Sequence, residues 1–598
     1  MSSTLPPPPP PPHGPPPGGP PTGGPPSGPP TGGPPSGPPS GPPSGPPEYL
    51  ESGGGAPLPG EPRRGGSPVK RGLLIGGGVV GLVAAGVGAW AAYGFLTTGP
   101  QPAEALPADT LGYASIDLDP SGGQKIEALR TLNKFPAFKD YVGISPDDDL
   151  VKKLFDKIQD EANCDGLDYE DDIEPWVGDR AAVAGVDLGG DTPDAVFVVQ
   201  VKDADKAEDG LDKIKDCSGG DSGGWAIEGD WAIVAESDEI ADKVVAATKK
   251  GSLADDEDFK KWTGEAGDAG VMTMYAGPEA GDYIADHADD LFGFPFGMVE
   301  DYACSASPDD TGDEGDPLGD TEGCDVPDMP SSDMSDDFKD QLRDFEGMAA
   351  TVRFSDGAIE FEVAGDTALG GTGFMPGGAE AEVVKTLPGD TGAAFGVGFA
   401  DGWFGDLVDY AAPYMGEDAD EVIDELSELT GLDLPDDAET LAGDSAAIAL
   451  GSDFDPDVFL DSEDGSDIPI GIKIKGDPDE IEKVLDKLRE MAGEQANVLE
   501  SDSDGDYIVI GPNADYRSDL LKDGGLGDND VFKDVVREAD KAQTIFFVDV
   551  DEFEDAIADA AGESDQEFID NLKPVSGFGV SAWVDGDVSH SVIRLATN

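Results

Sequence analysis

The strongest constraint on how this chain can fold is a set of short sequence anchors that occurs twice in the same order. Leu106-Pro107-Ala108-Asp109-Thr110 returns as Leu387-Pro388-Gly389-Asp390-Thr391, and Gly166-Leu167-Asp168 as Gly431-Leu432-Asp433. Trp176-Val177-Gly178-Asp179 returns as Leu441-Ala442-Gly443-Asp444, Leu211-Asp212-Lys213-Ile214 as Leu485-Asp486-Lys487-Leu488, and Phe259-Lys260 as Phe532-Lys533. Asp356-Gly357, between two apolar runs, returns as Asp585-Gly586. The spacing between partners stays between 229 and 281 residues and the order never changes, as expected for duplication of one large unit and not for a short-period solenoid. The expected organisation is a first copy over 105–368 and a second over 385–598, with linkers at 97–104 and 369–384. Phe259 to Gly347 is roughly twice as long as Phe532 to Gly577, so the first copy carries an insertion over about 285–335.

Within each copy, helical and strand periodicities alternate. Leu150, Val151, Leu154, Phe155 and Ile158 share one helical face, as do Val422, Ile423, Leu426 and Leu429. Ile468, Ile470, Ile472 and Ile474 alternate with Pro469, Gly471, Lys473 and Lys475, which predicts a half-buried strand with Pro469 at an edge or a strand start. Ala349–Phe354 and Ala358–Val363 flank a Ser-Asp-Gly turn and predict a hairpin. The expected fold class is α+β: a duplicated domain with mainly antiparallel sheets and flanking helices.

The region before the repeats has a different composition. Residues 1–70 hold more than half of the 51 prolines, in GPPS, GPPT and GGPP units, and too few apolar residues to offset the entropy of ordering. They read as a disordered Pro/Gly-rich tail. From Gly72 to Leu96 no side chain is charged. At about 1.5 Å per residue, 72–96 is long enough to cross a bilayer as one helix. Arg63, Arg64, Lys70 and Arg71 precede this run and Glu104 is the first charge after it. The positive-inside rule therefore places the tail in the cytoplasm and 97–598 outside, in a single-pass membrane protein that contacts the bilayer through one helix. Gly77, Gly81, Ala85 and Ala89, spaced by four, form a small-residue ridge through which a homodimer could form; a monomeric anchor is the alternative. Gly76, Gly78 and Gly81 match a dinucleotide fingerprint, but no strand precedes them.

The formal charge is −89, and of the acidic residues only Glu48, Glu51 and Glu61 lie before the uncharged run. A chain this acidic lacks the basic footprint of a nucleic-acid binder. Three histidines leave little material for general-base chemistry. Cys164, Cys217, Cys304 and Cys324 all fall on the extracytoplasmic side, where an even count suggests two disulfides. Cys164–Cys217 with Cys304–Cys324 is the sequence-local choice among three connectivities. No C-x-x-C spacing points to zinc or dithiol redox chemistry.

LPADTLGYASIDLDPSGGQKIEALRTLNKFPAF, followed later by DDIEPWVGDRAAVAGV and preceded by a single anchor, resembles a bacterial membrane-anchored family catalogued as domain of unknown function 3352. The resemblance covers most of 100–598. It implies an envelope location and this architecture, and it implies no catalytic residues.

The motifs that suggest chemistry are incomplete. Gly220-Asp221-Ser222-Gly223-Gly224 matches the surroundings of a trypsin-like nucleophile, but the only earlier histidine is His13, in the tail; His287 and His590 come later. It and Ser501–Asp506 read as loops leading into strands. Asp502, Asp504 and Asp506 alternate like calcium ligands, but Gly505 and Val509 break the EF-hand pattern. Phe292, Phe294, Phe296 and Met298, at the start of the insertion, are a candidate apolar contact surface, with Trp403, Phe404, Tyr410, Tyr414 and Met415 as a candidate matching side. The expected function is a binding or scaffold module of the cell envelope, using the cleft between copies or the insertion, with an envelope protein or ligand of unread identity. No catalytic, metal or cofactor-binding residue is assigned. The alternative is an envelope hydrolase built on Asp/Glu pairs, which needs no histidine.

Overall fold

The computed structural model describes residues 100–117, 123–142, 152, 155, 166–190, 192–217, 223–268, 270–292, 339, 342–367, 378–415, 419–462, 464–522, 524–561 and 566–598. The expected tail, the 72–96 span and the Gly77–Ala89 ridge lie outside them. Among the described residues no helix is long and apolar enough to cross a membrane.

The fold is α+β around one large antiparallel sheet. The first half supplies β1 (Thr110–Asp117), β2 (Val177–Val186), β3 (Asp194–Val201), β4 (Gly224–Glu228), β5 (Trp231–Ala235), β6 (Met272–Ala276), β7 (Met348–Ser355) and β8 (Ala358–Asp366). The second supplies β9 (Thr391–Gly398), β10 (Ser445–Gly451), β11 (Ile470–Lys475), β12 (Ser501–Asp504), β13 (Tyr507–Ile510), β14 (Thr544–Asp549), β15 (Val575–Asp585) and β16 (Val588–Thr597). The order is β12-β13-β11-β10-β9-β14-β15-β16-β8-β7-β6-β1-β2-β3-β5-β4. Read outward from the centre, each half has the same strand sequence, and the halves join through antiparallel β8–β16 pairing. The structure thus holds one continuous sheet where separate sheets were expected.

The repeated anchors account for this. In both halves a threonine opens the first strand and its hydroxyl donates to a proline carbonyl three residues earlier, Thr110 to Pro107 at 2.6 Å and Thr391 to Pro388 at 2.8 Å. Asp172 accepts from the backbone of Asp168 and pairs with Lys213, and Asp437 accepts from Asp433 and pairs with Lys487. Asp256 and Asn529 cap equivalent helices by accepting from Phe259 and Phe532, at 2.9 and 3.0 Å.

Two sequence readings shift by a few residues. Pro469 precedes β11, which lies inside the sheet between β10 and β13, so the proline marks a strand start and not an edge. Ser501–Asp504 is itself the edge strand β12, the counterpart of β4, and not a loop. Its exposed Asp502, Ser503 and Asp504 discourage pairing with another sheet.

One face of the sheet buries Tyr113, Trp231 and Ile233 under helices Asp238–Thr248 and Glu257–Glu265 in the first half. In the second half it buries Ile545 and Phe547 under helices Ala514–Leu520 and Asp530–Val535. On the other face, helix Gly123–Leu132 packs on Met272 and Phe354, helix Ala204–Cys217 on Val199 and Val201, and helix Pro478–Ala492 on Ile474 and Ile508.

Candidate functional site

Two places could carry function: the seam where the halves meet, and a stretch of sheet in the second half.

At the seam the hairpins β7–β8 and β15–β16 turn at 356–357 and 586–587. Asp356 and Gly357 have φ of 54° and 79°, and Gly586 has 65°, left-handed values that favour glycine or aspartate. The turns therefore correspond one residue later than the sequence anchors suggest, and one residue is enough to exchange the faces of a strand. With the turns aligned, Glu360, Arg353 and Arg594 occupy the positions of His590, Trp583 and Ala364. The registers agree: Glu360 lies opposite Arg353 and Arg594, and His590 opposite Trp583 and Ala364.

The two corners have opposite chemistry. Glu360 accepts from Arg594 and from Arg537 Nε at 3.2 Å, and lies 3.4 Å from Arg353 Nε. Arg594, 1% exposed, also donates to Ser355 Oγ and to the Ser355 carbonyl. Burial pushes the Glu360 carboxyl up, but Arg594 and Arg353 outweigh it and hold the group below its ordinary range. Glu362, paired with Arg353, shifts upward because burial and the charge of Glu360 prevail. At the other corner His590 stacks on Trp583, with ring centroids 5.0 Å apart and planes 9° apart. Burial lowers its basicity, partly opposed by Glu265 and Asp585.

The seam offers little room. A cavity of about 40 Å³ lies beside Phe345, Met348, Val363, Ser589 and Asp366. That holds water, not a substrate-sized ligand. Neither described histidine contacts a nucleophile: His287 Nδ1 meets the Tyr283 carbonyl and its ring stacks on Tyr283. Among the described residues no group of three or more His, Cys, Asp or Glu is placed to hold a metal.

The second place was not singled out in the sequence. β11, β10, β9, β14 and β15 align Ile472, Ile448, Phe395, Phe546 and Val580 in one cross-strand row. The flanking rows on that face are Ile470, Leu450, Ala393, Val548 and Phe578, then Ile474, Ala446, Val397, Thr544 and Ala582. Five strands thus present a field with no charge. Ile470, Ile448, Phe395 and Phe546 are 37%, 46%, 42% and 36% exposed. Matching the registers of the two halves, the counterparts of Ile448, Phe395 and Phe546 are Val183, Ala114 and Met274. The signal was present as alternation in each strand, but alternation alone cannot say which apolar face remains uncovered.

At the Phe546 end of the field the coverage differs, because the segment after the first strand of each half takes a different path and only the first half's helix packs near the counterpart Met274. Gly123–Leu132 lies on the sheet, whereas helix Trp403–Met415 packs on helix Ala419–Thr430 through Val408 and Val422. Trp403 meets Phe404 edge to face and packs at a tilt against Phe399. Leu429, expected on the apolar face of Ala419–Thr430, is 77% exposed.

Several sequence candidates fall outside the described residues: Cys164, Cys304, Cys324, Ser222, Phe294, Phe296 and Met298, and the side chains of Phe292, Tyr410, Tyr414 and Met415. Cys217 ends helix Ala204–Cys217, and its pairing lies outside as well. Asp502, an expected loop residue, pairs with Arg517 at 2.9 Å.

Residues 73–228 match the family described as Protein of unknown function (DUF3352), the family that the opening motif resembles. No curated protein and no solved structure matches the chain.

Proposed function

We propose that the chain is a single-pass, membrane-anchored binding or scaffold module of the bacterial cell envelope. Its tail faces the cytoplasm, its duplicated domain lies outside, and the open apolar field of the second half is its contact surface. The observation that carries this reading is the uncharged field across five strands, with Phe395, Ile448, Ile470 and Phe546 between 36% and 46% exposed in a chain of net charge −89. Contiguous exposed apolar surface on an otherwise polar molecule marks an interaction site. The hydrolase alternative is less well supported. Its best carboxylate pair, Glu360 and Glu362, is held by arginines, and the nearby cavity is too small for a sugar or peptide.

The test replaces Phe395 by a photoreactive benzoyl-phenylalanine in the full chain in its own membrane. A discrete envelope crosslink from 395, absent when the probe sits at Phe259 under the first-half helices, is expected. Protease added to intact cells should cleave beyond residue 100 and spare the tail. A protected repeat region, or no crosslink, overturns the reading.

A further inference from the structure

We propose that the open field binds a basic amphipathic helix supplied by a partner protein, lying on the sheet face that Gly123–Leu132 partly covers in the first half. The proposal rests on the binding reading above and adds the chemistry of the partner.

The shape of the occupant follows from the first half. There the same sheet face is covered by a helix, with Ala128, Leu129 and Leu132 buried against Met272 and Phe354. Met274, the counterpart of Phe546, packs against that cluster. In the second half the corresponding helix turns aside onto Ala419–Thr430, and Phe546, Phe395 and Ile448 stand open. A helix laid on this face with apolar side chains at three- and four-residue spacing would bury them.

The charge of the occupant follows from the rim. Two of the five strands, β9 and β10, end at exposed Asp390 and Asp453 on one side and at exposed Asp401 and Asp444 on the other, where β11 ends at Lys475, itself paired with Glu382. An acidic helix would be repelled, and a basic one would gain on-rate and orientation. Gly123–Leu132 follows this rule: in a strongly acidic chain it carries Lys125 and Arg130 against Glu127 alone.

The test titrates the purified full chain with a labelled synthetic helical peptide that has leucines on one face and lysines on the other. Two analogues accompany it, one with serine for leucine and one with glutamate for lysine. The parent peptide should bind about tenfold or more tightly than either analogue. Phe395→Ser with Phe546→Ser should weaken it by a similar factor, while Phe568→Ser, 50% exposed and outside the field, should leave it unchanged. Ile448→Lys keeps the test valid if the double variant fails to fold; it should weaken the lysine peptide and spare the glutamate analogue. Equal binding of the serine analogue would reduce the effect to bulk charge attraction and overturn the proposal. So would indifference to the field variants, or field-dependent binding to neutral phosphatidylcholine vesicles in preference to the peptide. A crosslink from position 395 in the membrane without peptide binding would leave the binding reading standing and remove this one.

Discussion

The two halves of the sheet share strand order, register and several hydrogen-bonding devices, yet they differ in the charge placed at matching register positions and in exposed apolar surface. In the first half Asp117 and Arg180 form an ion pair at 2.8 Å, with side chains 8% and 6% exposed. In the second half the same register positions hold Gly398 and Ser445, and Ser445 Oγ donates to the Val397 carbonyl. Conversely, among the described residues every exposed large hydrophobic side chain, from Phe395 to Phe568, lies in the second half. Once strand order is fixed, one copy can keep its face closed while the other leaves it open. The backbone frame does not dictate the chemistry of the surface.

The largest expected effect is at the seam. Glu360→Ala leaves Arg594 buried without its carboxylate, and removing one partner of a buried pair costs about 3–5 kcal/mol. His590→Ala, at the corresponding corner, removes a ring stack worth about 0.5–1.5 kcal/mol. Urea unfolding of both variants measures the contrast. Similar costs would mean that the two corners are energetically alike despite their chemistry.

Next comes the buried pair of the first half. Asp117→Ala should cost about 3 kcal/mol, because Arg180 then loses its buried 2.8 Å ion pair. Asp117→Gly combined with Arg180→Ser installs the second half's solution and should recover most of that loss. A double variant less stable than the single one would show that the halves are not interchangeable at this register.

These contrasts also show what could be read in the sequence. The duplication, the α+β class and the β7–β8 hairpin were legible because periodicity, turn residues and recurring anchors are local signals. The joining of two sheets into one was not, since β8 and β16 alternate as any half-buried strand does and nothing in either names its neighbour. The seam cluster was hidden for the same reason: Glu360 and Arg594 are far apart in the chain and meet only through that pairing. The field around Phe395 was hidden because which apolar face stays uncovered is a tertiary choice that strand alternation does not encode. The one-residue shift of the β15–β16 turn arose because Asp-Gly and Gly-Asp can each close a two-residue hairpin.

A smaller effect tests whether the field is open. Ile448→Ala should change stability by less than about 1 kcal/mol, as for a surface position. Phe547→Ala, on the adjacent strand pair but on the closed face and fully buried, should cost about 3–5 kcal/mol. A loss of several kcal/mol at Ile448 would mean that the face is covered in the free protein and that the contrast between halves is one of packing and not of exposure.

The smallest effect separates the two seam corners by pH. Burial lowers the His590 pKa below its unfolded value, which is about 6.5. Its neutral form therefore belongs to the folded state, and its contribution is complete above about pH 6.5 and is lost as pH falls toward the folded value. Glu360 is held below the ordinary carboxylate range, so its contribution is complete above that range and is lost only as pH falls through the lower folded value. Between about pH 7.5 and pH 5.5 His590 should respond and Glu360 should not. His590→Phe keeps an aromatic ring against Trp583 and removes the titration. Its stability relative to the parent should therefore rise as pH falls across that interval, when both are measured by urea unfolding at each pH. Glu265, Asp585 and Lys541 are the charges that act on His590, and all three are unchanged in the variant. Parallel curves for parent and variant would show that the His590 ring is solvated enough to titrate normally, and the two corners would then differ in charge but not in burial.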